Sequence, residues 1–133
     1  MKILIAEDDF ASRKFLFKLL TPYGECDMTI DGIETVEAFV IAHDINKPYD
    51  LLCLDIMMPK VDGIKALSAI RNYEEKKGIK ATEKCKVIIT SALDEKELGF
   101  DLLSTENEIY VSKPIDVKKI EDALKKLDLI MED

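Results

Sequence analysis

The sequence predicts a three-layer α/β sandwich: one parallel sheet of five strands with five helices on its two faces. Three observations carry that expectation. Short, continuously apolar runs suit strands covered on both faces, several of these runs end abruptly at acidic or hydroxyl residues, and five such strands alternate with five stretches of helical periodicity. Alternation of this kind forces right-handed crossovers between parallel neighbours.

The first run is Ile3 to Ala6, closed by Glu7, Asp8 and Asp9. From Ala11 to Leu20 the apolar residues Phe15, Leu16, Leu19 and Leu20 recur at helical spacing, and Pro22 with Gly24 ends that helix. Cys26 to Ile30 reads as a second, weaker strand, and Ile33, Val36, Phe39 and Val40 stripe a second helix that ends before Pro48. Leu51 to Leu54 is a third strand, stopped by Asp55. Asp62 caps a third helix carrying Ile64, Leu67 and Ile70 inward. Val87 to Ile89 forms the fourth strand and Ile109 to Val111 the fifth; Ile120, Ala123, Leu124, Leu127 and Ile130 stripe the last helix. Between these two strands, Leu93 to Leu103 reads as a helix weakened by Gly99. The charged run Glu74 to Lys86 reads as a long solvated loop, and Ser104 to Glu108 as a turn.

Composition narrows the class. At 133 residues the chain suits one domain over residues 1–133, and its 47% hydrophobic and 35% charged content, with five Gly and four Pro, is that of a globular protein. A net charge of -8 repels nucleic acid phosphates and anionic lipid, so neither nucleic acid nor membrane is expected as a partner. Cys26, Cys53 and Cys85 lack metal or redox spacing and read as free thiols in a reducing cytoplasm. The N-terminal apolar stretch is too short for a signal peptide or membrane span, giving a cytoplasmic expectation. His43 reads as a surface helix residue without a partner.

In an open parallel sheet, ligands sit beyond the carboxyl ends of the strands. The residues there are Glu7, Asp8 and Asp9, then Asp55, then Thr90, Ser91 and Ala92, then Ser112, Lys113 and Pro114. Clustered carboxylates repel one another, and a hard divalent cation that keeps some waters, such as magnesium, relieves the repulsion. A carboxylate among them can act as a phosphoryl acceptor if positive charge neutralises the transferring group. Thr90 and Ser91 compete for a hydroxyl role, because neighbouring strand residues face opposite ways; Ser91, with small Ala92 after it, fits better.

These residues carry a resemblance. Glu7-Asp8-Asp9, the stretch Asp55-Ile56-Met57-Met58-Pro59-Lys60-Val61-Asp62-Gly63, Ser91-Ala92 and Lys113-Pro114 together resemble a response-regulator receiver domain, from Lys2 to about Met131. The resemblance implies flavodoxin-like strand order 2-1-3-4-5. It further implies Asp55 as phosphoacceptor, Asp8, Asp9, Asp55 and the Met57 backbone carbonyl around Mg2+, and Ser91 and Lys113 on the phosphoryl oxygens. Tyr110 would be the switch aromatic, and a cis bond before Pro114 would aim Lys113.

The implied partners are a sensor histidine kinase or histidine phosphotransfer protein and an output protein reading the face from Glu95 to Met131. The chain would undergo Mg-dependent self-phosphorylation and slow autodephosphorylation without being an enzyme. Met57 and Leu93 stand where related receivers often carry polar groups that steer water, which implies slow loss of the phosphoryl group. The chain also lacks the usual glycine-containing turn before the fifth strand. An unphosphorylated interaction module on the same fold is the main alternative. A flavin-binding flavodoxin is excluded because three acids would repel the flavin phosphate, and an aspartyl phosphatase because Met57 occupies the place of its second Asp.

Overall fold

The computed structural model describes residues 1–92 and 107–131, and the helix expected over Leu93–Leu103 lies outside them. Five strands form one parallel sheet: β1 Lys2–Ala6, β2 Glu25–Thr29, β3 Leu51–Asp55, β4 Lys86–Ser91 and β5 Glu108–Ser112. Their order across the sheet is β2-β1-β3-β4-β5, the flavodoxin-like order. Among the described residues four α-helices accompany it: α1 Phe10–Leu20, α2 Gly32–Asp44, α3 Gly63–Lys76 and α4 Val117–Lys126. Two short 3-10 turns, Thr21–Tyr23 and Ala81–Glu83, complete the described elements.

Strands buried on both faces need apolar residues at every position, not at alternate ones. All five residues of β3 are buried, as are four of the five in β1, whereas the edge strand β2 buries only Thr29. Alternation then divides the core in two. Leu4, Ala6, Leu52, Leu54, Val87 and Ile89 face α2 and α3, where Phe39, Ala42, Leu67 and Ile70 meet them. Ile3, Ile5, Leu51, Cys53, Ile88 and Val111 face α1 and α4, where Leu16, Leu20, Ile120 and Leu124 meet them.

Each of the four described α-helices is opened by an aspartate in extended conformation. Asp9, Asp31, Asp62 and Asp116 accept from the N–H groups of Ser12, Glu34, Lys65 and Lys119 respectively. Each such cap stabilises its helix by about 1 kcal/mol. The caps of α1, α2 and α3 follow the ends of β1, β2 and β3, so capping adds acids to the carboxyl edge of the sheet beside those of the functional cluster.

Three expectations are corrected. Ile33 and Phe15 are exposed; α2 turns Thr35, Phe39 and Ala42 inward, and α1 turns Leu16 and Leu20. The run Glu74 to Lys86 is not a solvated loop, because α3 continues to Lys76 and Glu74 is 1% exposed, held by Arg71 Nη1 at 2.7 Å and the Cys85 N–H at 2.8 Å. His43 is half-buried and lies against the rings of Phe39 and Tyr73, with centroids 5.0 and 5.4 Å away; burial lowers its pKa. The three cysteines are free, and burial first, then the charges of Glu7 and Asp55, pushes the Cys53 thiol up to about 12. No helix among the described residues is long and apolar enough to cross a membrane.

Candidate functional site at the carboxyl edge of the sheet

The site begins with strand register. Ala6 pairs with Leu54, so Glu7 and Asp55 emerge side by side from β1 and β3, while Asp55 pairs with Thr90 on β4. Glu7 is fully buried and Asp55 is 3% exposed. One oxygen each from Glu7, Asp8 and Asp55 lies within 4.8 Å of the others, a grouping able to hold a metal ion.

The loop after Asp55 is built to pass close to it. Gly63 opens α3 with its N–H on the Ile56 carbonyl at 2.9 Å, and a Cβ there would collide with the backbone of Asp55 and Ile56. That approach explains why Asp62-Gly63 closes the motif. Lys60, at φ 68°, reaches the α2 cap Asp31 at 3.3 Å, tying the loop to the neighbouring helix. Met57 is exposed, but its N–H donates to Asp55 Oδ1 at 3.2 Å, which brings its peptide group to the acids.

Lys113 arrives from the far side of the sheet. Its N–H donates to the Ser91 carbonyl at 2.8 Å, the bond to Pro114 is cis, and its Nζ lies 2.8 Å from Glu7 Oε1 and 3.5 Å from Asp55 Oδ2. Burial pulls the ammonium's pKa down, but the hydrogen bond to Glu7 and the charge of Asp55 outweigh it, so the net shift is upward. One ammonium does not balance three acids. Burial, a hydrogen bond shared with Glu7 and the Glu7 charge raise Asp55 to about 7, against the opposing pull of Lys113 and the Met57 N–H.

The residues singled out from the sequence are distributed as follows. Asp55, Asp8 and Lys113 meet, with the Met57 peptide beside them. Asp9 does not join the grouped oxygens: it is exposed and its carboxylate caps α1 through the Ser12 N–H at 2.8 Å, and the Ser12 side chain first, then this N–H, lower its pKa. The third carboxylate is Glu7, which sequence reasoning passed over as a ligand. The signal was available, since Glu7 is the first residue past the apolar run and so continues the Ile3, Ile5 parity onto the face that Cys53 and Asp55 share. Ser91 is fully buried and in register with Ser112. Tyr110, in register with Ile89, is half-buried against the core layer under α2 and α3.

A divalent cation fits this donor set. The oxygens are hard carboxylates, and Glu7 Oε2 is buried with no hydrogen-bond partner among the described residues, an arrangement that leaves a lone pair for a cation.

Fold and site define a doubly wound α/β domain with an acid cluster and a facing lysine at the carboxyl edge. Comparison with known proteins makes the class specific: the family model described as "Response regulator receiver domain" matches residues 3–125, and the chain belongs to that family. It is similar to the chemotaxis protein CheY of Treponema pallidum, 32% identical over 121 residues that span 90% of this chain and 76% of that protein. Hybrid signal transduction histidine kinase G of Dictyostelium discoideum is also 32% identical over 90% of this chain, which there matches only 3% of the kinase. Among solved structures, the CheX-CheY-BeF3-Mg+2 complex of Borrelia burgdorferi contains a chain 27% identical with a TM-score of 0.75, over 96% of this chain and 89% of that one. The chain is thus a receiver domain of the kind found in two-component signalling proteins.

Proposed function

We propose that the chain is a phosphorylation-driven switch that takes a phosphoryl group onto Asp55 from a phosphohistidine on a sensor histidine kinase or a histidine phosphotransfer protein. The observation that carries this reading is a carboxylate 3% exposed, raised to about 7 by burial and Glu7, with a lysine ammonium 3.5 Å away. Such a carboxylate gains from any positive charge brought to it.

In the transfer, an Asp55 carboxylate oxygen forms the new P–O bond as the P–N bond to the donor imidazole breaks, and the electron pair leaves with that nitrogen. Lys113, already between Glu7 and Asp55, pairs with the phosphoryl oxygens. Glu7, Asp8, Asp55 and the Met57 peptide would hold Mg2+, which supplies further neutralisation of those oxygens. The Borrelia complex, whose chain is 27% identical, contains Mg+2 and BeF3, which supports the same chemistry here. Ser91 would turn toward the new oxygens and Tyr110 would follow it. The face of β5 and α4, together with the segment before β5, would then present a changed surface to an output protein.

On this reading the chain acts as a substrate and switch, without turnover beyond slow loss of its own phosphoryl group. The deciding experiment is intact mass after incubation with acetyl phosphate and magnesium. The parent gains one phosphoryl group and Asp55→Asn gains none; a parent that stays unmodified, or an Asp55→Asn protein modified to the same extent, removes the proposal.

A further inference from the structure

Thr90 is the feature that the site as described does not use. It sits in register with Asp55 on the adjacent strand, about 4.8 Å away across the sheet. Side chains in register on parallel neighbours share a face, so Thr90 and Asp55 both project toward the layer that holds α1 and α4. Thr90 is 1% exposed, and its Oγ1 is buried with no hydrogen-bond partner among the described residues. Its backbone is occupied, since the carbonyl accepts the Ile56 N–H at 3.0 Å. Only the hydroxyl is idle.

A buried hydroxyl without a partner is a cost that valine, nearly the same shape, would not carry. We propose that Thr90 is a positioning residue for Asp55, its hydroxyl donating to the acyl carbonyl oxygen that remains on Asp55 once the other carboxylate oxygen carries the phosphoryl group. The inference rests on Asp55 being the phosphoacceptor.

In the resting protein both Asp55 oxygens are served: Oδ1 accepts the Met57 N–H at 3.2 Å and Oδ2 faces Lys113 Nζ at 3.5 Å. Phosphoryl transfer turns one oxygen into an ester bridge and gives Lys113 new oxygens to pair with. The remaining oxygen becomes a buried carbonyl with two lone pairs, of which the cation would take one and a hydrogen-bond donor can take the other. Threonine can move its hydroxyl between staggered wells without moving the strand. Ser91, one residue on, faces the opposite way at its Cα, which separates a hydroxyl for the acyl group from one for the phosphoryl group.

The test compares the parent with Thr90→Val and Thr90→Ser in three readouts: the thermal midpoint without magnesium, the dissociation constant for magnesium by calorimetry, and the rate and lifetime of acyl phosphate by intact mass with acetyl phosphate. Thr90→Val is expected to melt about 3 °C higher at rest. Its magnesium affinity should stay within twofold of the parent. It should acquire the phosphoryl group or retain it about fivefold less well, the size of one neutral hydrogen bond, with Thr90→Ser restoring the parent values.

If Thr90→Val leaves both rate and lifetime unchanged, or melts below the parent at rest, the hydroxyl has another role and the inference is overturned. A parent that never gains a phosphoryl group sinks the phosphoacceptor reading itself, and this inference with it. The two failures are therefore distinguishable.

Discussion

The two edges of the sheet each bury a glutamate and treat it in opposite ways. At the amino edge, Glu74 is 1% exposed with both oxygens engaged, Oε1 by Arg71 and Oε2 by the Cys85 N–H. Arg71 also donates to Glu108 Oε2 at 2.9 Å and to the Cys85 carbonyl at 2.9 Å. At the carboxyl edge, Glu7 is 0% exposed with Oε1 on Lys113, while Oε2 has no hydrogen-bond partner among the described residues. Burial alone therefore does not mark function. The contrast teaches that a saturated buried carboxylate holds elements together, whereas one with a spare oxygen beside like charges is prepared for something that arrives later.

The strongest way to break this contrast is at the saturated edge. Arg71→Ala leaves Glu74 buried and uncompensated, so it should cost about 3–5 kcal/mol of stability, measured by urea unfolding, with or without magnesium. A loss under 1 kcal/mol would mean that the network is ornamental.

At the other edge the sign should reverse. Asp55→Asn removes one of the crowded charges and should stabilise the resting protein by about 1–3 kcal/mol near neutral pH, a gain that shrinks in saturating magnesium. The pH dependence follows from a folded-state value of about 7 against the ordinary aspartate value of 3.8. Between these the folded state holds the extra proton, so the Asp55 contribution is favourable below about pH 4 and is lost as pH rises through about 7. The difference between parent and Asp55→Asn should therefore widen across that window and be flat below it.

A third comparison separates capping from metal binding within the acid triplet. Asp9→Ala should lose about 1 kcal/mol of stability through its helix cap and keep magnesium affinity within about threefold. Asp8→Asn should do the converse, weakening magnesium binding about tenfold or more by calorimetry. Equal losses from both would place Asp9 back among the ligands. The smallest effect is at Met57, exposed two residues after Asp55: Met57→Asn offers a group to hold an attacking water and should shorten the acyl phosphate lifetime about threefold to tenfold in a mass-based decay.

Sequence reading reached the sheet well because strands covered on both faces leave unbroken apolar runs; the runs at Leu51–Leu54 and Ile3–Ala6 each extend by one residue in the structure. It placed Asp55 and Lys113 at the same edge for the same reason. It faltered where two physical causes select the same residue type. Three consecutive acids follow β1, one of them chosen for the helix it starts, and adjacency in sequence hides which two share the site. It also failed at Glu74: the counterion Arg71 stands only three residues earlier on the same helix, but the Cys85 N–H comes from 11 residues on and Arg71 is itself fixed to Glu108 at a separation of 37. A charge in a charged run looks solvated until the remote contacts that bury it are known.

The ion pair between Glu7 and Lys113 spans 106 positions of the chain. Its two ends come from the residue just past the first strand and the residue just past β5, so the acid and lysine pocket cannot exist in a nascent or partly unravelled molecule. On the proposed function, competence to be charged would in that sense be a proof of completed folding, and a phosphoryl donor would find its acceptor only in finished copies.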